Sequence, residues 1–227
     1  MSKYVIANFK SYQIKVEPWL EKIGPNLSVL GTSVTPIVAP SFLDLTQVAA
    51  QLPAGLSLAA QDVSPFPPGA YTGAIAAPAL HELGVTHAII GHSERRRYFH
   101  ETPLDVAHKA EALLDSGITP FLCLEETEII AQFAALEDAV KERCVYCYEP
   151  AADIGGTVTA PPDQIMSTVA KIRAFVPTAA VLYGGSVTPD DVGELLDLPL
   201  DGFIVASASR SPESYLKILE KVAHGTN

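Results

Sequence analysis

Three side chains of this sequence could do acid–base chemistry, and each follows an apolar run. Ala88-Ile89-Ile90-Gly91 delivers His92 and Glu94 to a point where a strand gives way to a helix. A histidine there feels the positive end of a helix dipole, which favours the neutral imidazole, a form that can donate a proton to a substrate oxygen. Val145-Tyr146-Cys147-Tyr148 ends in Glu149, and Pro150 keeps the exit extended, so the carboxylate is a candidate base. Asn8 and Lys10 close a third run and add an amide and an ammonium. Gly155-Gly156 and Gly184-Gly185-Ser186 expose backbone N–H groups suited to phosphate oxygens, and Ala206-Ser207 follows the last run. Plainer readings exist for each: Ser93 caps a helix, Glu149 pairs with Lys10 or an arginine, a glycine pair makes a turn. Taken together, a base, a neutral acid, an ammonium and phosphate-type loops suit proton abstraction beside the carbonyl of a phosphorylated sugar.

Eight short apolar runs must position these groups: 4–9, 35–39, 57–61, 87–91, 120–124, 145–149, 180–183 and 202–206. They are continuous rather than alternating, as expected of strands covered on both faces. Between them lie helical patterns at 104–116, 164–176 and 211–222, the last opened by Ser211-Pro212-Glu213. Alternation of strand and helix predicts a parallel sheet, and eight units predict a closed eight-stranded (β/α)8 barrel with outer helices, one domain over residues 1–227. A doubly wound open sheet is the competing topology. In the barrel the candidate residues fall together, because chemistry sits at the C-terminal strand ends. Gln61-Asp62 and Glu125-Glu126 fall at the same level after the third and fifth runs.

Composition narrows the partners. The chain is 48% hydrophobic and 18% charged with a net charge of −11, which argues against nucleic acid. It also means that local donors must hold any anionic substrate against a repelling field. Lys3 leads directly into the first strand with no signal core, and no apolar run reaches membrane-spanning length, so the expectation is a cytoplasmic protein with no membrane partner. Cys144 and Cys147 have redox-like spacing, but in a strand residues three apart point to opposite faces and lie ~10 Å apart, too far for a disulfide. With Cys123 they read as buried free thiols, and no second pair of metal ligands accompanies them. The stiff segment 63–71, with Pro65, Pro67 and Pro68, is too long for a plain connection and suggests a contact with another subunit.

The chain resembles the triosephosphate isomerase family over nearly its whole length. The resemblance rests on Asn8-Phe9-Lys10, Gly69-Ala70-Tyr71-Thr72-Gly73, Gly91-His92-Ser93-Glu94-Arg95-Arg96, Tyr148-Glu149-Pro150 with Ile154-Gly155, Tyr183-Gly184-Gly185-Ser186-Val187 and Asp201-Gly202-Phe203-Ile204-Val205. It implies a TIM barrel that interconverts dihydroxyacetone phosphate and D-glyceraldehyde 3-phosphate through an enediolate, in glycolysis and gluconeogenesis, without metal or organic cofactor. Pairing a glutamate base with a neutral histidine electrophile, under a loop that excludes water, is the template the resemblance implies. On that template Glu149 is the base, His92 the electrophile, Lys10 the enediolate and phosphate contact, Asn8 the orienting amide and Glu94 a supporting or shuttling carboxylate. Backbone N–H groups of Gly155, Ser186, Ala206 and Ser207 hold the phosphate, and 150–160 forms a lid. The resemblance also implies a homodimer through 63–73, with Thr72 at the loop tip; the short 126–144 region leaves a tetramer as the alternative. Departures from the family pattern are the lid start Ala151-Ala152-Asp153, and Ala206-Ser207 in place of two glycines. Rival readings are an isomerase for another small phosphorylated sugar and a catalytically silent phosphate-binding barrel.

Overall fold

The computed structural model describes residues 2–150 and 159–225. The apolar runs form eight strands: β1 (Lys3–Asn8), β2 (Val34–Ala39), β3 (Ser57–Ala60), β4 (His87–Ile90), β5 (Thr119–Leu124), β6 (Val145–Tyr148), β7 (Val181–Tyr183) and β8 (Gly202–Val205). They pair in sequence order, all parallel, and β8 returns to β1 to close the barrel. The open doubly wound sheet is thereby excluded.

Closure explains why the runs lack polar alternation. One face of each strand points inward, where Ile6, Ile37, Ile89, Phe121, Leu182 and Ile204 fill the interior. The other face meets the outer helices through residues such as Val5, Val38, Leu122 and Val205. Both faces are therefore apolar. The helix Pro103–Asp115 shows how sequence sets the outer layer. Thr102 and Asp105 form a reciprocal capping box, Pro103 sits in the first turn, and Val106, Ala110, Leu113 and Leu114 face the barrel. The helices Pro162–Phe175 and Pro212–His224 likewise match the patterns read from sequence. The region after β5 is short, holding a single 3-10 turn, Glu126–Glu128, and the helices Ile129–Ala135 and Asp138–Lys141.

Two buried aromatic residues tie the ends of the chain together near the site. The Tyr215 hydroxyl donates to the Val5 carbonyl at 2.8 Å, and Trp19 Nε1 donates to the Ser209 carbonyl at 2.9 Å. The second bond fixes the turn after β8 against the first helix. All three cysteines are free and buried. Among the described residues no helix is long and apolar enough to cross a membrane.

Candidate active site

The C-terminal strand ends surround a cavity of about 200 Å³. Its lining contains Asn8, Lys10, His92, Glu94 and Glu149, together with Ser186, Ala206 and Ser207. Gly155 and the lid segment 151–158 lie outside the described residues.

Gly91 makes the turn that delivers His92. Its φ is +64°, and an added Cβ would meet the Arg96 guanidinium and Val106. Arg96 braces this turn by donating from Nε to the Gly91 carbonyl at 2.7 Å and from Nη2 to Gln132 at 2.8 Å. His92 then caps the helix Ser93–Phe99, its Nδ1 accepting from the Glu94 N–H at 3.2 Å. With Nδ1 occupied as an acceptor, the ring proton lies on Nε2, which faces Glu149 Oε1 at 3.0 Å. The other Glu149 oxygen accepts from the Ser93 N–H at 2.9 Å.

This buried pair adjusts both partners. For Glu149 burial is the largest influence and acts upward, but His92 and the Ser93 N–H together outweigh it and hold the carboxyl below its usual range. For His92 burial acts downward, but Glu149 and then Glu94 outweigh it, so the imidazole is held above its usual range while Glu149 faces it. The helix terminus expected to keep His92 neutral accounts for Nδ1 alone. The facing carboxylate, which local sequence did not reveal, pulls the other way.

Lys10 has a left-handed backbone, φ +49°, which costs a non-glycine residue on the order of 1 kcal/mol. Two side chains hold it there. Asn8 Oδ1 accepts from the Lys10 N–H at 3.0 Å, and Gln61 Nε2 donates to the Lys10 carbonyl at 2.9 Å. The ammonium meets Glu94 at 2.7 Å, so Lys10 pairs with Glu94 and not with Glu149. Gln61 is a positioning residue to which sequence reading gave a place but no role; its signal was a polar side chain on an inward strand end. Tyr12, Arg97, Tyr98 and Thr188, which lie outside the strand-end set, also line the cavity. For Arg97 the signal was its place three residues after Glu94 on one helix.

The opposite wall is built from backbone. A Cβ on Gly185 would run into the Tyr183 hydroxyl, so only glycine lets this strand end approach so closely. The same hydroxyl accepts from the Ala160 N–H at 2.9 Å, and Thr159 donates to the Ser186 carbonyl at 3.1 Å. Ala206 has φ −96°, and Lys10 and His100 are the only non-glycine residues with positive φ among those described. Ala206 and Ser207 therefore turn without needing glycine.

A carboxylate facing an imidazole, with an ammonium across the same barrel mouth, defines a class: (β/α)8 enzymes that move protons on a small carbonyl substrate. The sequence profile described as triosephosphate isomerase matches residues 3–222. The triosephosphate isomerase of Halorhodospira halophila is 38% identical over 83% of this chain and 86% of its own length. That of Citrifermentans bemidjiense is 38% identical over 96% and 98%. A crystal structure of the triosephosphate isomerase from Bartonella henselae superposes with a TM-score of 0.84 at 24% identity, covering 98% of this chain and 99% of that one. The chain belongs to the triosephosphate isomerase family. It is an isomerase, and the family's reaction interconverts dihydroxyacetone phosphate and D-glyceraldehyde 3-phosphate in glycolysis.

Proposed function

We propose that Glu149 carries the proton between the two carbons of the triose phosphate while His92 and Lys10 stabilise the enediolate. The observation that carries this reading is the 3.0 Å contact between His92 Nε2 and Glu149 Oε1 in a cavity shared with Lys10. A substrate carbonyl that accepts the Nε2–H hydrogen bond in place of Glu149 releases one carboxylate oxygen, and movement toward the substrate carbon releases the other from Ser93. A carboxylate 2% exposed and stripped of both donors becomes a stronger base, because burial then acts unopposed. Nε2–H and the Lys10 ammonium meet the negative charge as it forms on the two oxygens, and Asn8 orients them. Glu94 keeps Lys10 in reach. Backbone N–H groups at Gly155, Ser186, Ala206 and Ser207 hold the phosphate. A coupled assay with D-glyceraldehyde 3-phosphate in deuterated water tests the chemistry. Turnover with solvent deuterium at the exchanged carbon is expected; turnover of another phosphorylated sugar in its place would overturn the assignment.

The one closed barrel supports reading the whole chain as a single domain, and we place the enzyme in the cytoplasm. We further propose a homodimer built on residues 63–73. Phe66 and Tyr71 stack at 4.5 Å on this loop, are 47% and 43% exposed, and would leave apolar surface open on a monomer. The loop is braced from within: Ser64 N–H donates to the Ile75 carbonyl at 2.8 Å, and Phe66 N–H to Ser64 Oγ at 3.0 Å. Light scattering should give at least twice the 24.1 kDa chain mass, with a tetramer as the larger alternative. Replacing 64–69 by a short flexible turn should give monomers with intact fold and much lower kcat. A fully active monomer of the native sequence would refute the loop's role.

A further inference from the structure

The charges that line the cavity do not suit a dianion unless one residue outside the reacting set is included. Lys10 and Arg97 are the lining cations, and Glu94 and Glu149 the lining anions. Lys10 is already paired with Glu94 at 2.7 Å. Without Arg97, one ammonium faces two carboxylates inside a chain of net charge −11. A phosphate dianion approaching such a site would be repelled both by the global field and by the mouth itself.

Arg97 is exposed, and among the described residues its guanidinium has no hydrogen bond, ion pair or ring contact. Its neighbours differ. Arg95 pairs with Asp62 at 2.7 Å and with Glu101, and Arg96 with Glu128 at 2.7 Å. Most of the chain's other cations are likewise engaged: Arg210 covers the Tyr12 ring at 4.2 Å, and Lys109 meets Asp62 at 2.6 Å. Arg97 is thus an uncommitted guanidinium at the rim of the cavity, on the face of the helix Ser93–Phe99 that carries Glu94.

We propose that Arg97 is a substrate-capture residue, a rim guanidinium that draws in the phosphate of the triose phosphate and offsets the surplus negative charge of the mouth. This rests on the triose phosphate reading above. Arg97 makes no contact with reacting atoms, so its effect falls on kcat/KM and not on kcat. A guanidinium suits phosphate because its planar donors can engage two oxygens, while the charge alone suffices to steer.

The test compares the native protein with Arg97→Gln and Arg97→Lys. For D-glyceraldehyde 3-phosphate at ~10 mM salt, Arg97→Gln should lower kcat/KM about tenfold, with kcat within about twofold. The gap should close to under ~3-fold at ~0.5 M salt, where screening is nearly complete beyond a few ångströms. Arg97→Lys should retain most of the activity. Unphosphorylated D-glyceraldehyde supplies the control, since it carries no charge to capture and its kcat/KM should not change. An equal loss with both substrates would overturn the proposal in favour of a structural role, and so would an unchanged kcat/KM at low salt. A fall in molecular mass by light scattering would assign Arg97 to the subunit contact instead. If the native protein did not isomerise the triose phosphate, the functional reading would fail by itself. Calorimetric titration with inorganic phosphate still tests Arg97 in that case: weaker binding by Arg97→Gln supports capture, and equal binding overturns it.

Discussion

At the mouth of the barrel, Lys10 is held at φ +49° by Asn8 and Gln61, and a buried carboxylate faces a buried imidazole at 3.0 Å. At the floor, Tyr4, His87 and Phe121 pack their rings, with His87 and Phe121 stacked at 4.9 Å and Tyr4 edge-on to Phe121 at 5.5 Å. The strands β1 and β4 run through both regions. The mouth spends folding energy on strain and on desolvated polar groups, which specific hydrogen bonds offset only in part. The floor gains energy from apolar area and ring contacts. Changes at the mouth should therefore cost activity with little loss of stability, and changes at the floor should do the reverse.

The largest effect is expected from Glu149→Gln. Loss of a positioned base should lower kcat by about a thousandfold or more, or upwards of ~4 kcal/mol of barrier. The amide keeps the shape of the side chain and removes a buried charge, so the melting temperature should stay within a few degrees of native. Steady-state kinetics and calorimetry check the two halves. Retention of more than about a tenth of kcat would show that Glu149 is not the base, and a large fall in melting temperature would break the contrast between mouth and floor.

Which parts of this arrangement the sequence carried depends on how local their causes are. The strands were legible to within about a residue at most ends, because burial on both faces imposes unbroken apolar runs. Asn8, Lys10, His92 and Glu149 were legible as polar groups at strand ends, and the family resemblance sharpened their proposed roles. What the sequence hid are ties between distant segments. The Lys10–Glu94 pair spans 84 residues, Ser93–Glu149 spans 56, and Gln61–Lys10 spans 51. The upward pull of Glu149 on His92 was hidden for the same reason. A positive φ at Lys10 could not be read locally either, since local preference disfavours it and only the bonds from Asn8 and Gln61 sustain it.

The floor supplies the next test, through His87. Burial pushes its imidazole down to about 4 from an ordinary value of 6.5. The neutral form is thus the one the fold accommodates. Above the ordinary value neither folded nor unfolded chain binds the proton, and the full stability is present. Between about 6.5 and about 4 the unfolded chain binds it first, so stability falls as pH falls, and below about 4 the loss levels off. The total is on the order of 3 kcal/mol. Urea unfolding at pH 7 and near pH 4.5 should show most of this difference in the native protein and little of it in His87→Phe. Turnover at pH 7 should be alike in the two. An unchanged acid sensitivity in His87→Phe would remove His87 from the account.

The smallest and most discriminating change is Gln61→Leu. Gln61 Nε2 donates to both the Lys10 and Ala39 carbonyls at 2.9 Å; Ala39 keeps the Phe9 N–H at 3.1 Å, so the substitution strips the Lys10 carbonyl of its donor and leaves Asn8 alone to hold that backbone. Two outcomes separate. The unmet Lys10 carbonyl should lower stability by about 1 kcal/mol, which any comparable loss at the floor would also do. In addition, Lys10 should relax from its left-handed conformation and draw its ammonium away from Glu94, lowering kcat about tenfold, or ~1.4 kcal/mol of barrier. The comparison is with a floor variant of matched stability, such as His87→Gln, measured for kcat at pH 7. If Gln61→Leu loses no more kcat than that variant, the hydrogen bonds around Lys10 serve the fold alone. If it loses tenfold more, the strain at Lys10 is held in place for catalysis, and the ammonium works only where that backbone puts it.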